Sequence, residues 1–136
     1  MSGLFGAIGI SGGGIDAAQT WIDATAGNIA NANDAVSTSQ SAYQEQEPVF
    51  TAASTAPGQV GDGVEVSGET LGSAAGVVQS DPSSPLADQD GNVRVANVDL
   101  SSQLANLVEA QDAYQANATA MQRAITAYQS ALTLGS

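Results

Sequence analysis

Histidine, cysteine and lysine are all missing from the 136 residues, and each absence closes off a class of chemistry. Without cysteine there are no disulfides, thiolate metal sites or thiol nucleophiles, and the redox compartment stays open. Without histidine the commonest general base and metal ligand is gone. Arg94 and Arg123 are the only cations against 14 acidic residues, a net charge of −12, so a nucleic-acid backbone or an anionic membrane surface would repel the chain. No run of about 18 apolar residues occurs, so no membrane-spanning helix is expected. The start, Met1 to Ile10, lacks a basic n-region and its apolar run stops at Ser11-Gly12-Gly13-Gly14; it does not read as a Sec signal. The length suits one domain, or one domain with helical arms.

What is present is patterned in two long stretches. Steps of four and three from Leu100 give Leu104, Leu107, Gln111, Tyr114, Ala118, Met121, Ile125, Tyr128 and Leu132, with neither Pro nor Gly before Gly135. Only Gln111 breaks this heptad stripe, which predicts a straight coiled-coil helix from Val98 onward. Such a helix would be about 50 Å long, more than a globule of this size needs. Its other faces carry Ala105, Ala110, Ala113, Ala116, Ala120, Ala124, Ala127 and Ala131 and few charges. Small, uncharged faces predict contact with other helices on several sides.

The same stepping from Leu4 gives Ile8, Ser11, Ile15, Ala18, Ile22, Thr25, Ile29, Ala32 and Val36. One row of this seam is β-branched and the other mostly small, so it could interlock with the seam of the last stretch. Gly6, Gly9, Gly12, Gly13 and Gly14 each cost roughly 1 kcal/mol of helix stability relative to Ala. Residues 1 to about 14 are therefore expected to be disordered in a monomer and helical, if at all, only when neighbours bury the seam, the better helical start lying at Gly13 or Gly14. Trp21, one place off the seam, is the best single candidate for a contact to a second subunit.

Between Ser37 and Asn97 the helical pattern gives way to Ser, Thr, Gly and all four prolines. Val49–Thr51, Val64–Ser67, Val77–Val78 and Val93–Val95 are expected strands, with turn chemistry at Pro57-Gly58, Asp62-Gly63 and Asp90-Gly91. The organisation expected is a helix over 1–36, a β-rich segment over 37–97 and a coiled-coil helix over 98–136. The fold class is mainly α with a small β-rich insert, the N- and C-terminal helices forming an antiparallel coiled-coil stalk.

Three motifs then carry a resemblance. Thr25-Ala-Gly-Asn28-Ile-Ala-Asn31-Ala-Asn33 resembles the N-terminal signature of bacterial flagellar rod and hook proteins, and Ala113-Tyr114-Gln115-Ala116-Asn117 resembles their C-terminal one. Asp81 to Val93, followed by Asn97-Val98-Asp99-Leu100, is similar to the segment typical of the proximal rod protein (FlgC) family. The chain departs from the family pattern at Ala42-Tyr43-Gln44, where Pro-Tyr and a basic residue are frequent, and at Ala96, where Pro is common. The resemblance implies a structural subunit of the basal-body rod, without catalysis or cofactor, exported without a cleaved signal through the flagellar type III apparatus. It implies assembly with copies of itself and other rod proteins, from the membrane-ring and export-gate end, into a periplasmic drive shaft.

Helix and subunit packing is expected at Ile15, Trp21, Ile22, Asn28, Ile29 and Asn31 in the first stretch. In the last it falls to Leu104, Leu107, Tyr114, Asn117, Met121, Ile125, Tyr128 and Leu132. Asn28, Asn31 and Asn33 allow two readings: side-chain hydrogen bonds that fix the helix end and subunit contacts, or helix-ending chemistry alone. Asp88-Gln-Asp90-Gly91 is expected as a turn, because the further oxygen ligands of a calcium loop are missing. Glu45 with Glu47, and Glu65 with Glu69, are expected as solvated charges. The alternative function is a membrane-active exported helical protein, suggested by Gly3-Leu-Phe-Gly-Ala-Ile-Gly; an enzyme would lack both His and Cys and any nucleophile-elbow motif.

Overall fold

The computed structural model describes residues 2–54 and 61–134. Among these the order is α1 (Ser2–Asn31), β1 (Ala35–Val36), β2 (Gln46–Ala53), β3 (Gly63–Leu71), β4 (Val77–Ser80), β5 (Asn92–Val95) and α2 (Leu100–Leu134). The fold is mainly helical, two long helices with a small antiparallel sheet insert. Every expected strand run lies inside a strand, while Pro57-Gly58 falls outside the described residues.

The start of α1 corrects an expectation. The helix begins at Ser2, not near Gly14, because tertiary contacts offset the weak helix propensity of its glycines. The Phe5 ring packs on Tyr128 with centroids 5.2 Å apart. A Cβ on Gly12 would sit 3.5 Å from Met121 Cε, and one on Gly14 would collide with the Asn117 side chain. At Gly14 the missing side chain is what lets the neighbour approach.

The end of α1 corrects another. Asn31 donates from Nδ2 back to Gly27 O at 2.8 Å, and the chain turns through Ala32 N to Ile29 O and Asp34 N to Asn31 O. Ala32 and Val36 therefore lie beyond the helix, and Val36 sits in β1. At the other helix, Asp99 caps the start: its Oδ1 accepts from Ser101 N at 2.9 Å and Ser102 N at 3.3 Å, satisfying amides that the first turn leaves free. Those bonds, the Ser102 amide first, hold the Asp99 carboxyl below its ordinary pKa.

The strands form a three-stranded sheet in the order β1-β5-β4 and a two-stranded pairing of β2 with β3. β5 is central and antiparallel to both neighbours, with Ala35 opposite Val95 and Val78 opposite Arg94. β1, only two residues long, had no sequence signal. Gly91, at φ +78°, makes the expected turn before β5, where a side chain would be strained.

The chain divides into two compact units, one of Met1–Ile22, Pro48–Gly68 and Val108–Ser136, the other of Asp23–Glu47 and Glu69–Leu107. Within the first, the buried residues include Ser11, Ala17, Ala18, Ala110 and Ala124. Within the second they are Ala24, Thr25, Asn28, Ala32, Ala42, Val93, Ala96 and Gln103. Both interiors are thus built mainly from small or polar side chains, with Pro48 and Val93 the larger apolar residues among them.

Candidate assembly surfaces

In the second unit a single carboxamide organises the packing. Asn28, 1% exposed, donates from Nδ2 to Gln46 O at 2.8 Å and to Gln103 Oε1 at 2.9 Å. Its Oδ1 accepts from Gln46 N at 2.8 Å and from the Tyr43 hydroxyl at 3.0 Å. Both donors and both lone pairs are used. Because it pairs with the N–H and the C=O of Gln46 together, the Asn28 amide acts as a strand neighbour would, and β2 starts there. Gln103 passes the network on by donating to Glu45 Oε1. Burial pushes the Tyr43 pKa up, opposed by the Asn31 amide and reinforced by Glu45 and Glu69.

This geometry bears on the two readings of the asparagines. Asn31 serves the end of its own helix, whereas Asn28 is committed to β2, α2 and Tyr43 within the chain. Glu45 is half-buried and is held by Gln103, whereas Glu47, Glu65 and Glu69 are exposed. Gln103 was not singled out from the sequence, its one signal being a lone Gln in the first turn of an Ala- and Leu-rich helix, while Tyr43 and Glu45 were named there only as a departure from the family pattern and as a solvated charge.

Arg94 is held in the same unit. Its guanidinium donates to Ala75 O and Thr38 O, both at 2.7 Å, and its buried Nε has no hydrogen-bond partner. Thr38 also donates to Asp88 Oδ2 at 2.9 Å, and Asp88 Oδ1 accepts from Asn92 N and Asp90 N. These bonds, with the Asn92 amide first, lower the Asp88 pKa, and they describe a turn held from within.

In the first unit, Trp21 and Phe50 meet edge to face at 5.8 Å and 63°. They line an open apolar groove of about 300 Å³ with Ile10, Ala18, Val64 and Asn117. Phe50 and Ile10 keep 39% and 40% of their surface exposed. The contacts that pair the helices here, Phe5 with Tyr128, Gly12 with Met121 and Gly14 with Asn117, step up one helix as they step down the other.

The remaining packing candidates fall into two sets. Ile15, Ile22, Ile29, Leu107, Asn117, Met121, Ile125 and Tyr128 are half-buried. Leu104, Tyr114 and Leu132 are exposed, Leu104 and Leu132 by 50% and 51%. On α2 the buried positions among the described residues are Gln103, Ala110 and Ala124, so the row that packs within the chain runs beside the expected stripe and leaves several of its large side chains outside. Among the described residues there is no cluster of acidic side chains fit to hold a metal ion, and no helix long and apolar enough to cross a membrane.

A family model described as "Flagellar basal body rod FlgEFG protein C-terminal" matches residues 89–134. The chain is 31% identical over 126 residues to "Flagellar basal-body rod protein FlgC" of Salmonella typhimurium, covering 93% of each chain. It is 32% identical over 126 residues to the protein of that name from Yersinia enterocolitica, again 93% of each. To the one from Borreliella burgdorferi it is 26% identical over 148 residues, 97% of each.

Proposed function

Because the chain belongs to the flagellar basal-body rod protein FlgC family, it is a structural subunit of that rod, and we propose that it forms the proximal, periplasmic drive shaft that carries torque outward. It assembles there with copies of itself and with other rod proteins, starting from the membrane-ring and export-gate end. It reaches that site through the flagellar type III export apparatus, and it works without catalysis, cofactor or nucleic acid. α1 and α2 act as an antiparallel coiled-coil stalk, with the half-buried seam residues packing between helices and Leu104, Tyr114, Leu132 and Trp21 meeting neighbouring subunits.

The observation that carries this reading is the inverted distribution of side-chain size. Alanines fill the interior of each unit while Leu100, Leu104, Val108, Leu132 and Leu134 face outward. Large apolar side chains left exposed over a small-residue interior mark candidate interaction surface within each unit. A net charge of −12 disfavours anionic partners such as nucleic acid. The membrane-active alternative is not favoured, since the match to rod proteins spans nearly the whole chain.

Leu107→Asp and Ile125→Asp test the stalk, because a carboxylate placed between helices without a partner costs several kcal/mol. Cells carrying either variant are expected to express the chain, fail to swim and lack rods beyond the membrane ring. Normal swimming by both would overturn the stalk reading.

A further inference from the structure

The first unit carries two surfaces whose chemistry matches, and we propose that they dock one copy onto the next. This rests on the self-assembly reading above and names the contact that carries it. The acceptor is the groove of Trp21, Phe50, Ile10 and Val64. A second furrow that shares Ala17 and Val64 with it adds the carboxylates of Asp16 and Glu65, both exposed. The donor is a face of α2 where Thr119, Arg123, Thr126 and Ala127 border a shallow depression of about 470 Å³.

Charge decides the occupant. Each copy carries −12 with two arginines, so any contact between copies that lacks a cation adds repulsion. Arg94 is engaged by carbonyls within its own unit, which leaves exposed Arg123 as the side-chain cation that a copy can offer among the described residues. The face around Arg123 is otherwise uncharged and, apart from Gln122, small, so a helix can lie in the apolar groove, its side-chain ridges fitting the furrow. Arg123 then reaches Asp16 and Glu65 of the neighbour, and Phe50 and Ile10 of that neighbour are covered by Thr126 and Ala127. Fork-shaped guanidinium recognition of carboxylates supplies the orientation.

The two surfaces are different patches of the chain, so the contact is heterologous. Repeating such a contact gives a ring or an open helical array instead of a closed pair, as a tubular rod requires.

The chain contains no cysteine, so introduced thiols report without background. Thr20→Cys borders the acceptor furrow and Gln122→Cys borders the donor depression. Basal bodies are purified from cells whose only copy of the chain carries both changes, then oxidised. A ladder of multimers is expected from the double variant, and monomer alone from each single variant. Adding Arg123→Glu should abolish the ladder, and adding Asp16→Arg with Glu65→Arg on top should restore it. Rods that contain the chain but yield no ladder overturn this contact while the rod reading stands. Multimers from a single variant overturn its heterologous form. Absence of the cysteine-free chain from purified rods overturns the rod reading and this contact with it.

Discussion

Asn28 on α1 and Gln103 on α2, 75 residues apart in sequence, share a buried hydrogen bond of 2.9 Å. The bond fixes the second unit in one arrangement because every polar atom of Asn28 already has a partner. Asn28→Ala would leave the Gln103 amide, the Tyr43 hydroxyl and the backbone of Gln46 without it. Each buried group so abandoned costs about 1–3 kcal/mol. The variant should lose at least about 2 kcal/mol in urea unfolding, and the Gln46 amide should exchange faster. Unchanged exchange at Gln46 would mean that the network does not hold the start of β2.

Gly14 gives a matching test in the first unit. A methyl group there would run into Asn117, whose Nδ2 donates to Ala113 O at 2.9 Å. Gly14→Ala raises intrinsic helix propensity by about 1 kcal/mol, yet the clash should make it destabilising. Asn117→Ala removes the obstacle, so the double variant should be more stable than Gly14→Ala alone. If Gly14→Ala by itself raises the melting temperature, the two helices do not approach as closely as the structure has them.

Much of this architecture is legible in the residues. The two helices announce themselves by heptad spacing, and the strands by short β-branched runs between Gly, Asp and Pro. Which row of a helix faces which neighbour is not legible. Leu100, Leu104 and Tyr114 mark apolar surface that must be covered, but spacing does not say whether the cover comes from the chain itself or from another subunit. The chain's own helices take the buried row of Gln103, Ala110 and Ala124, whose two alanines let backbones come close. Asn28 left two readings open because its partners lie far away in sequence, at Gln46 and Gln103. β1 escaped notice because two residues make no period.

Tyr43 should report the Asn28 network through its alkaline titration. Its folded pKa lies above the ordinary value of about 10, chiefly through burial. The stabilising bond to Asn28 is therefore complete below pH about 10 and is lost as the pH rises through the folded value. Difference absorbance of the phenolate should show a late-ionising step that Tyr43→Phe removes. A Tyr43→Phe variant that leaves the late part of the titration unchanged would contradict this.

Asp88 predicts the opposite pH limb. Its folded pKa is depressed by the amides of Asn92 and Asp90 and by Thr38. Its contribution is present above the unfolded carboxylate value of about 3.9 and is lost as the pH falls through the lower folded one. Proton exchange at the Asn92 amide should accelerate in that acid range relative to its intrinsic rate. Asp88→Asn should flatten this response while leaving swimming intact.

The last prediction turns on the inverted sizes of inside and outside. In an ordinary globule, replacing leucine by glutamine is costly and enlarging an alanine at the surface is harmless. Here Ala110 is fully buried, whereas Leu104 and Leu132 are half exposed. Ala110→Leu overfills a closed contact and should cost about 1–3 kcal/mol or more in the isolated chain. Leu104→Gln with Leu132→Gln removes apolar surface that the isolated chain never buries, so its urea midpoint should move little. In cells the order should reverse for assembly per folded molecule: the glutamine variant, stable but stripped of its contact surface, should be depleted from purified rods. A chain carrying both glutamines that melts early yet assembles normally would show that these leucines belong to its own core and not to the surface it offers its neighbours.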